Sequence, residues 1–341
     1  SVPLITLKAQ GNSLSDLGNL DNMVIRGQMQ DGEIYIPDIQ FVLKQAAGEV
    51  VISRGILDGQ NLKARLGNSI GQNGTLKLGL IGDVAPFHLE TDVRADLEQL
   101  PPILKQLVDD QDFQKELAQL TELKGSANGK LVLGEDTEKV TVKVEASDIQ
   151  LSAQYGRLPH PLQITGGKFS YDEDRVGVSH LTGKLGKSAF SELSGTLGLD
   201  KKKDLAITSG KCGLVLAEIV PWLTSFEELA AVSKYYGGGK SIVTLSEVKI
   251  NGPLFSPSKW NFNLSGDVED LVIKNVPGRP GPTTIGSAKF KADPQTFKYT
   301  NGHISMLDGV WNISGEHKNY MTGLGKDIRL TLKGHMGSKS M

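Results

Sequence analysis

The 341-residue sequence has few of the features that mark a disulfide-stapled, metal-binding or membrane-spanning protein. Its single cysteine, Cys212, excludes an intramolecular disulfide and any metal site built from several cysteines. The six histidines lie far apart, with no pair at the spacing of metal ligands. The most apolar run, Leu214 to Leu223, is interrupted by Glu218 and Pro221 and falls short of the ~18 apolar residues of a membrane span. The sequence therefore gives no reason to expect a metal ion, a cofactor or a transmembrane helix.

The charges are almost balanced. Lys and Arg number 37 against 39 Asp and Glu, which gives a net charge of −2. Because there is no positive excess to meet a phosphate backbone, we expect no nucleic-acid partner. The first residues, Ser1 to Ile5, lack both the basic segment and the small-residue cleavage site of a signal peptide. We therefore expect either a cytosolic chain or a piece trimmed from something longer.

Motifs for catalysis are also missing. The Gly-Lys-Ser tripeptides at 186–188 and 239–241 resemble the end of a phosphate-binding loop, but Leu181 and Lys234 stand where its first glycine is required. The acidic run at 172–174 lacks the ligand spacing of a calcium loop. A hydrolase needs clustered carboxylates or an activated nucleophile, and the sequence shows the signature of neither. We predict that the protein is not an enzyme.

Strand-like alternation recurs along the whole chain. Leu76, Leu78 and Leu80 skip over Lys77 and Gly79, and this period of two indicates half-buried strands. Turn-forming dipeptides separate such runs and predict successive hairpins in an antiparallel meander. These dipeptides are Asp31-Gly32, Asp58-Gly59, Asn73-Gly74, Asn128-Gly129, Asn251-Gly252, Asn301-Gly302 and Asp308-Gly309.

Only two segments have helical spacing of apolar residues, about 96–123 and about 216–236. We interpret both as amphipathic helices that pack onto their own sheet. Two helices cannot cover the apolar face of so much sheet. Most of that face must therefore meet another sheet, as in a sealed β-sandwich, or a ligand.

Internal repetition is the most informative feature of the sequence. The tetrapeptides Leu-Gly-Asn-Ser at 66–69 and Leu-Gly-Lys-Ser at 185–188 each precede a Gly-Thr-Leu-x-Leu strand and then a helical segment, with a shift of 119 to 121 residues. A third copy begins at Asp270 and stops before its helix. We place repeat units at 1–122, 123–244 and 245–341, the last truncated, and expect a fragment of a longer repetitive chain.

The order of these landmarks resembles the AsmA-like superfamily of bacterial envelope proteins, with its TamB-like and YhdP-like members. The closest likeness is the segment 185–195, Leu-Gly-Lys-Ser-Ala-Phe-Ser-Glu-Leu-Ser-Gly, followed by Val-Pro-Trp-Leu at 220–223. The resemblance implies a mainly β fold, an elongated, twisted antiparallel sheet curled into an open, taco-like groove with two short helical segments. It also implies a place in the periplasm of a Gram-negative bacterium, with an inner-membrane anchor outside this chain, and the carriage of phospholipids between the inner and outer membranes.

On this reading, phospholipid acyl chains and the two membranes are the partners, with envelope proteins as further candidates. The residues expected to line the groove share alternating apolar positions in strands. They are Leu76, Leu78, Leu80, Val140, Val142, Val144, Leu197, Leu199, Phe262, Leu264, Leu330 and Leu332. The period of two does not say which face is inside. An assembly scaffold that helps outer-membrane proteins insert through exposed strand edges stays open as the alternative function.

Overall fold

The computed structural model describes residues 4–36, 41–82, 84–107, 111–200, 203–254, 256–275, 281–306, 309–320 and 327–335. Over these described residues it is mainly β, with 69% strand in an open antiparallel sheet of 18 strands and four short helices, which confirms the predicted fold class. The strands are β1 (Leu4–Ala9), β2 (Met23–Ile36), β3 (Phe41–Ser53), β4 (Ile56–Leu66), β5 (Ser69–Gly79), β6 (Pro86–Asp96), β7 (Leu120–Asp136), β8 (Val140–Tyr155), β9 (Leu162–Asp172), β10 (Arg175–Leu185), β11 (Ser188–Gly198), β12 (Asp204–Val215), β13 (Ile242–Pro253), β14 (Asn261–Ile273), β15 (Thr283–Ala292), β16 (Thr296–Met306), β17 (Gly309–Lys318) and β18 (Ile328–His335). The helices are α1 (Leu14–Leu17), α2 (Leu100–Leu107), α3 (Gln111–Ala118) and α4 (Leu216–Leu223).

The chain forms two compact units. Unit 1 comprises Ser1–Ser152 with Lys168–Asp174, and unit 2 comprises Ala153–Gly167 with Arg175–Met341. Within unit 1, β1 to β6 each pair antiparallel with the next strand along the chain, so that the run ends at β7. Within unit 2, β10 to β17 do the same, and the run ends at β18. The division into three repeat units stays a prediction.

Several strands, among them β2 to β5, β10, β11 and β16, are interrupted by a bulge at which one residue has a left-handed backbone. In β5, for example, Asn73 has a φ of 54°, and the register shifts between Gln72 and Thr75. Asn and Asp adopt this conformation more readily than other residues with a side chain. The non-glycine residues with positive φ inside strands are Asp31, Gln45, Asn61, Asn73, Glu122, Glu135, Asp148, His180, Glu192, Asp270 and Asn301.

The turns predicted at the Asx-Gly dipeptides differ from the structure. Six of the seven predicted turn dipeptides lie inside strands, and the prediction of hairpin turns there was wrong. They are those beginning at Asp31, Asp58, Asn73, Asn128, Asn251 and Asn301. In Asp308-Gly309, Asp308 lies outside the described residues. At Asp31, Asn73 and Asn301 the residue before glycine has positive φ, and a bulge satisfies that preference as well as a turn does. Asp58-Gly59 and Asn128-Gly129 instead continue their strands in register, with neither residue at positive φ.

The two helical segments lie where the sequence predicts them but are shorter. The first consists of the 3₁₀ turn Leu97–Gln99 followed by α2 and α3, and the chain has already entered β7 at Leu120. In the second, α4 ends at Leu223 and a 3₁₀ segment follows over Glu227–Lys234. Just beyond α4, the hydroxyls of Thr224 and Ser225 donate to the carbonyls of Val220 and Trp222, a competition with backbone pairing that favours a helix end. The sequence did not predict α1.

A pair of hydrogen bonds fastens the first helical segment to a neighbouring turn. Ser69 Oγ accepts the N–H of Asp96, the residue before the helical segment, at 3.0 Å. Gln99 Oε1 accepts the N–H of Asn68 in the β4–β5 turn at 2.9 Å. The turn and the start of the helical segment therefore satisfy each other's backbone donors.

The same two bonds recur in unit 2. Ser188 Oγ accepts the N–H of Val215 at 3.0 Å, and Glu218 Oε2 accepts the N–H of Lys187 at 2.8 Å. Positions 69 and 188, 96 and 215, and 99 and 218 are each 119 residues apart. The Leu-Gly-x-Ser landmark of the sequence is thus a turn that holds a helical segment in both places.

We predict that Ser188→Ala lowers the free energy of unfolding by about 1–3 kcal/mol, because the buried Ser188 hydroxyl is lost and the half-buried Val215 N–H is left without its acceptor. Urea denaturation followed by circular dichroism measures the change. Ser305→Ala is the matched control, since Ser305 is exposed and its hydroxyl has no partner among the described residues. Equal midpoints for the two variants would contradict the role assigned to this bond.

Candidate functional site

The candidate site is the apolar face of each unit. In unit 1, directly opposed residues of six neighbouring strands form a cross-strand row, here called the Leu78 row, in which every side chain is aliphatic or aromatic. The row consists of Leu7, Ile25, Ile52, Leu57, Leu78 and Phe87. Opposed residues lie on the same face of a sheet. These six side chains therefore form one apolar strip across β1 to β6.

A second strip, the Leu76 row, runs beside the first. It consists of Ile5, Gly27, Val50, Gly59, Leu76, Leu89 and Leu133. Since Leu76 and Leu78 are two residues apart in one strand, both rows lie on the same face. A Cβ added to Gly27 would meet no atom within 4 Å, so this position leaves open space in the strip.

The opposite face of unit 1 is mostly polar. Between the two apolar rows runs a row of intervening residues that point the other way, consisting of Thr6, Arg26, Val51, Asp58, Lys77 and His88. Farther along this face, Lys130 forms an ion pair with Glu90, and this contact lowers the pKa of the Glu90 carboxyl below its ordinary value. The two faces of unit 1 thus differ sharply in polarity.

The apolar face of unit 1 is only partly covered. Leu57, Leu76, Leu78 and Phe87 are all half-buried rather than buried, and Leu7 is exposed. Strands that contact each other extensively are neighbours in the chain. Among the described residues of unit 1, the side chains of the strip therefore shield one another, with no second layer of strands packed over them.

Unit 2 has an apolar face of the same kind. The row named here after Phe290 consists of Phe190, Cys212, Leu245, Gly266, Phe290, Tyr299, Gly315 and Leu330. The adjacent row, named after Leu264, consists of Val248, Leu264, Ala292, Phe297, His317 and Ile328. Burial is deeper here, since Leu245 and Val248 are buried.

Aromatic rings cluster on the apolar face of unit 2. Phe297 has the rings of Phe290, Tyr299, His317 and Tyr320 within 6.5 Å of its own, centre to centre. Tyr299 Oη lies 3.3 Å from His317 Nε2, which places a polar contact within the cluster. Burial raises the pKa of the Tyr299 hydroxyl. This face thus offers ring surfaces and one hydrogen-bonding pair, where the two rows of unit 1 are almost entirely aliphatic.

A hollow of about 770 Å³ lies among β2 to β5 in unit 1. Its lining is mostly amide and charged, which is poorly suited to a hydrocarbon chain. The lining residues are Gln28, Met29, Gln30, Asp31, Gln45, Ala47, Gly48, Glu49, Asn61, Lys63, Ala64, Arg65 and Ile70. The apolar strips are therefore the better candidates for a site that takes an apolar ligand.

The structure places the predicted groove residues on strands or just beyond their ends. Half-buried positions are Leu76, Leu78, Val142, Val144, Leu197, Phe262 and Leu264. Exposed positions are Leu80, Val140, Leu199, Leu330 and Leu332. Of these, Leu80 and Leu199 follow the last residues of β5 and β11.

Several residues of the strips were missed by the sequence analysis. Leu57, Phe87 and Leu89 belong to the rows that contain Leu76 and Leu78. The alternation typical of strands is present in the sequence at these residues. Leu57 and Gly59 flank Asp58, and Phe87 and Leu89 flank His88. Only the register of the strands shows that these residues stand opposite the predicted ones.

Other kinds of site find little support in the part of the chain that the structure describes. No group of three or more His, Cys, Asp or Glu side chains is placed to hold a metal ion there. None of the helices in the described ranges has both the length and the apolar character needed to cross a membrane. No protein-family model, curated protein or solved structure matches the chain.

Cys212 provides a chemical probe of the apolar face in unit 2. It is half-buried between Phe190 and Leu245 in the Phe290 row, and burial raises the pKa of its thiol. We predict that its rate of reaction with a maleimide rises with pH through a midpoint above that of an ordinary cysteine, because the thiolate is the reactive form. The protein unfolded in urea is the control. Equal midpoints in the folded and unfolded protein would contradict this placement.

Proposed function

We propose that the apolar faces bind the acyl chains of phospholipids and that the protein is a non-enzymatic lipid-transfer groove of the Gram-negative envelope. The observation that carries the proposal is the pair of apolar rows across β1 to β6, which are half-buried and have a polar face behind them. Soluble proteins rarely leave a large contiguous apolar surface uncovered unless it binds something.

The dimensions of a row suit an acyl chain. Neighbouring strands are about 4.8 Å apart, so a row across six strands extends about 24 Å. The acyl chains of one leaflet span about half of the roughly 30 Å hydrocarbon core of a bilayer. One row in unit 1 is therefore long enough to lie along a whole chain.

The energetics also favour a hydrocarbon ligand. About 30 methylenes of a diacyl lipid would lose on the order of 24 kcal/mol of transfer free energy in water, at ~0.8 kcal/mol each. Contact with half-buried Leu, Ile and Phe side chains can replace much of the apolar surroundings that the methylenes have in a bilayer. Because the contacts are alike along each row, no single position would hold the lipid strongly, which suits movement along the strip.

The cellular setting of the proposal rests on the resemblance to AsmA-like proteins. In that setting the groove carries phospholipids through the periplasm between the inner and outer membranes. An inner-membrane anchor and any envelope protein partners would be supplied by segments and chains other than this one.

A second candidate function is that of an assembly scaffold for outer-membrane proteins. The observation that favours it is the exposure of the outermost strands, with Ile5 62% and Leu330 49% exposed. An exposed edge can accept a strand from a client protein. Phospholipid that co-purifies with the protein would favour lipid transfer, whereas a stoichiometric protein client without lipid would favour the scaffold.

A photo-crosslinking amino acid at position 78 tests the lipid proposal without a charge on the face. We expect crosslinks to phospholipid from vesicles when the probe replaces Leu78, and far fewer when it replaces Lys77. The two positions are adjacent in β5 but lie on opposite faces, so the pair differs only in the surface sampled. Equal labelling at both positions would contradict the proposal.

A charge on the strip should stop transfer. We predict that Leu78→Asp greatly lowers the rate at which the protein moves a fluorescent phospholipid between vesicles, because a carboxylate is costly to place against hydrocarbon. Lys77→Asp introduces the same group on the other face and should leave the rate near that of the unmodified protein. Circular dichroism must show that both variants are folded, and unchanged transfer by a folded Leu78→Asp would refute the proposal.

A further inference from the structure

We propose that the aromatic cluster of unit 2 binds the positively charged ammonium group of a phospholipid headgroup. The cluster consists of Phe290, Phe297, Tyr299, His317 and Tyr320. This inference rests on the proposed lipid transfer and adds to it a preference among headgroups. The face of an aromatic ring carries partial negative charge, so it attracts cations, and quaternary ammonium groups are the ligands that proteins most often recognise in this way.

The rings of the cluster are arranged around Phe297 and keep accessible surface. The Phe290 ring stacks on that of Phe297 at 6.1 Å, and the Tyr320 ring lies 5.9 Å from it, centre to centre. All five side chains of the cluster are half-buried. Each ring therefore leaves part of its surface available to a ligand.

The cluster lies where the strands end. Phe297 is the second residue of β16, and His317 is the last but one residue of β17. The turn between β15 and β16 begins at Asp293, whose carbonyl accepts a hydrogen bond from Tyr320 Oη at 2.9 Å. At this end the apolar face borders water. A lipid with its acyl chains on the rows of unit 2 would place its polar headgroup at such a border.

A carboxylate lies beside the rings. Asp293 Oδ1 accepts the N–H groups of Gln295 and Thr296, each at 2.8 Å, and these bonds hold the side chain in the turn. Burial raises the pKa of the Tyr320 hydroxyl, and the negative charge of Asp293 raises it further. The carboxylate is therefore close enough to act on the cluster. A cation on the ring faces would be attracted by the rings and by Asp293 together.

The basic side chains of these strands lie on the other face. Lys291, Lys298, Glu316 and Arg329 are directly opposed in a row that alternates with the rows of the cluster. Lys298 Nζ lies 3.2 Å from Glu316 Oε1. Within the described part of unit 2, neither the Phe290 row nor the Leu264 row contains a Lys or an Arg. An ammonium group would thus meet no lysine or arginine in these rows.

Photo-crosslinking at position 328 tests the headgroup site. Ile328 stands opposite His317 and is 46% exposed, so a photo-crosslinking amino acid there samples lipid beside the cluster. The full chain is mixed with vesicles of equal amounts of phosphatidylcholine and its 3,3-dimethylbutyl analogue, which has the same acyl chains and a carbon atom in place of the charged nitrogen. We expect mass spectrometry to show phosphatidylcholine in excess by about threefold or more. The measurement is made at pH 8, because a protonated His317 imidazole would repel the ammonium group.

Two variants separate the contributions of the ring and of the charge. Phe297→Leu should lower the ratio of the two crosslinked lipids toward one, because it removes the central ring and keeps an apolar side chain. Asp293→Asn should also lower it, since the amide oxygen can still accept the two N–H groups of the turn while the charge is lost. Phe169→Leu makes the same ring-to-leucine change in β9, outside the cluster, and should leave the ratio unchanged.

The outcomes distinguish this site from the lipid proposal on which it rests. Equal crosslinking of both lipids, or a ratio that neither Phe297→Leu nor Asp293→Asn lowers, would overturn the headgroup site and leave acyl-chain binding in place. Crosslinks from position 78 without any from position 328 would do the same, whereas an absence of crosslinks at both positions would overturn both proposals. Displacement of the lipid by glycerophosphocholine, which has the headgroup but no acyl chains, would assign the rings to a free cation and overturn the headgroup site.

Discussion

The apolar face of a sheet must be kept from water, and in this protein that requirement is met only in part. Removal of apolar area from water contributes roughly 25 cal/mol per Å². In most folds a second layer supplies that cover. In unit 1, Leu57, Leu78 and Phe87 are instead shielded by their neighbours along the row and stay half-buried. A ligand that lies along the row would supply the missing cover, so the same surface that costs the free protein stability can drive binding.

A sheet with one layer also depends on how its backbone twists. Each bulge with a left-handed residue adds local right-handed twist and bends its strand. In unit 1 such residues follow one another in β2 to β5, at Asp31, Gln45, Asn61 and Asn73. The register shifts at a similar place in each of the strand pairs from β2–β3 to β5–β6. On one side of these shifts, the residues of the apolar rows stay directly opposite one another. The bulges therefore shape each unit without moving the leucines to the polar face.

Much of this fold could be predicted from alternation alone, because a period of two is a direct consequence of half-buried strands. Alternation identified Leu76 and Leu78 correctly as strand residues that share a face. The Asx-Gly dipeptides gave wrong turn predictions. Asn73-Gly74, for example, favours a residue with positive φ, and both a hairpin turn and a bulge inside a strand can provide one. The row that joins Leu57, Leu78 and Phe87 depends on the pairing of strands, which no short stretch of sequence encodes. The length of α4 was overestimated because helical spacing continues past Thr224, where side-chain hydroxyls compete for the helix carbonyls.

The polar face determines which surface is offered to a ligand. Its exposed ion pairs, such as Lys130 with Glu90, contribute little to stability, since such pairs are worth about 0–1 kcal/mol. Their larger effect is on register. A slip by one residue would turn Lys77 and Asp58 toward the apolar rows and expose Leu76 and Leu78 on the other side. Charges behind the sheet thus fix the leucines on one face even though no second layer holds them there. Because the charged residues of the opposite face keep the leucines on the apolar face, that face needs no covering layer to hold them there. It can therefore stay open for a mobile ligand.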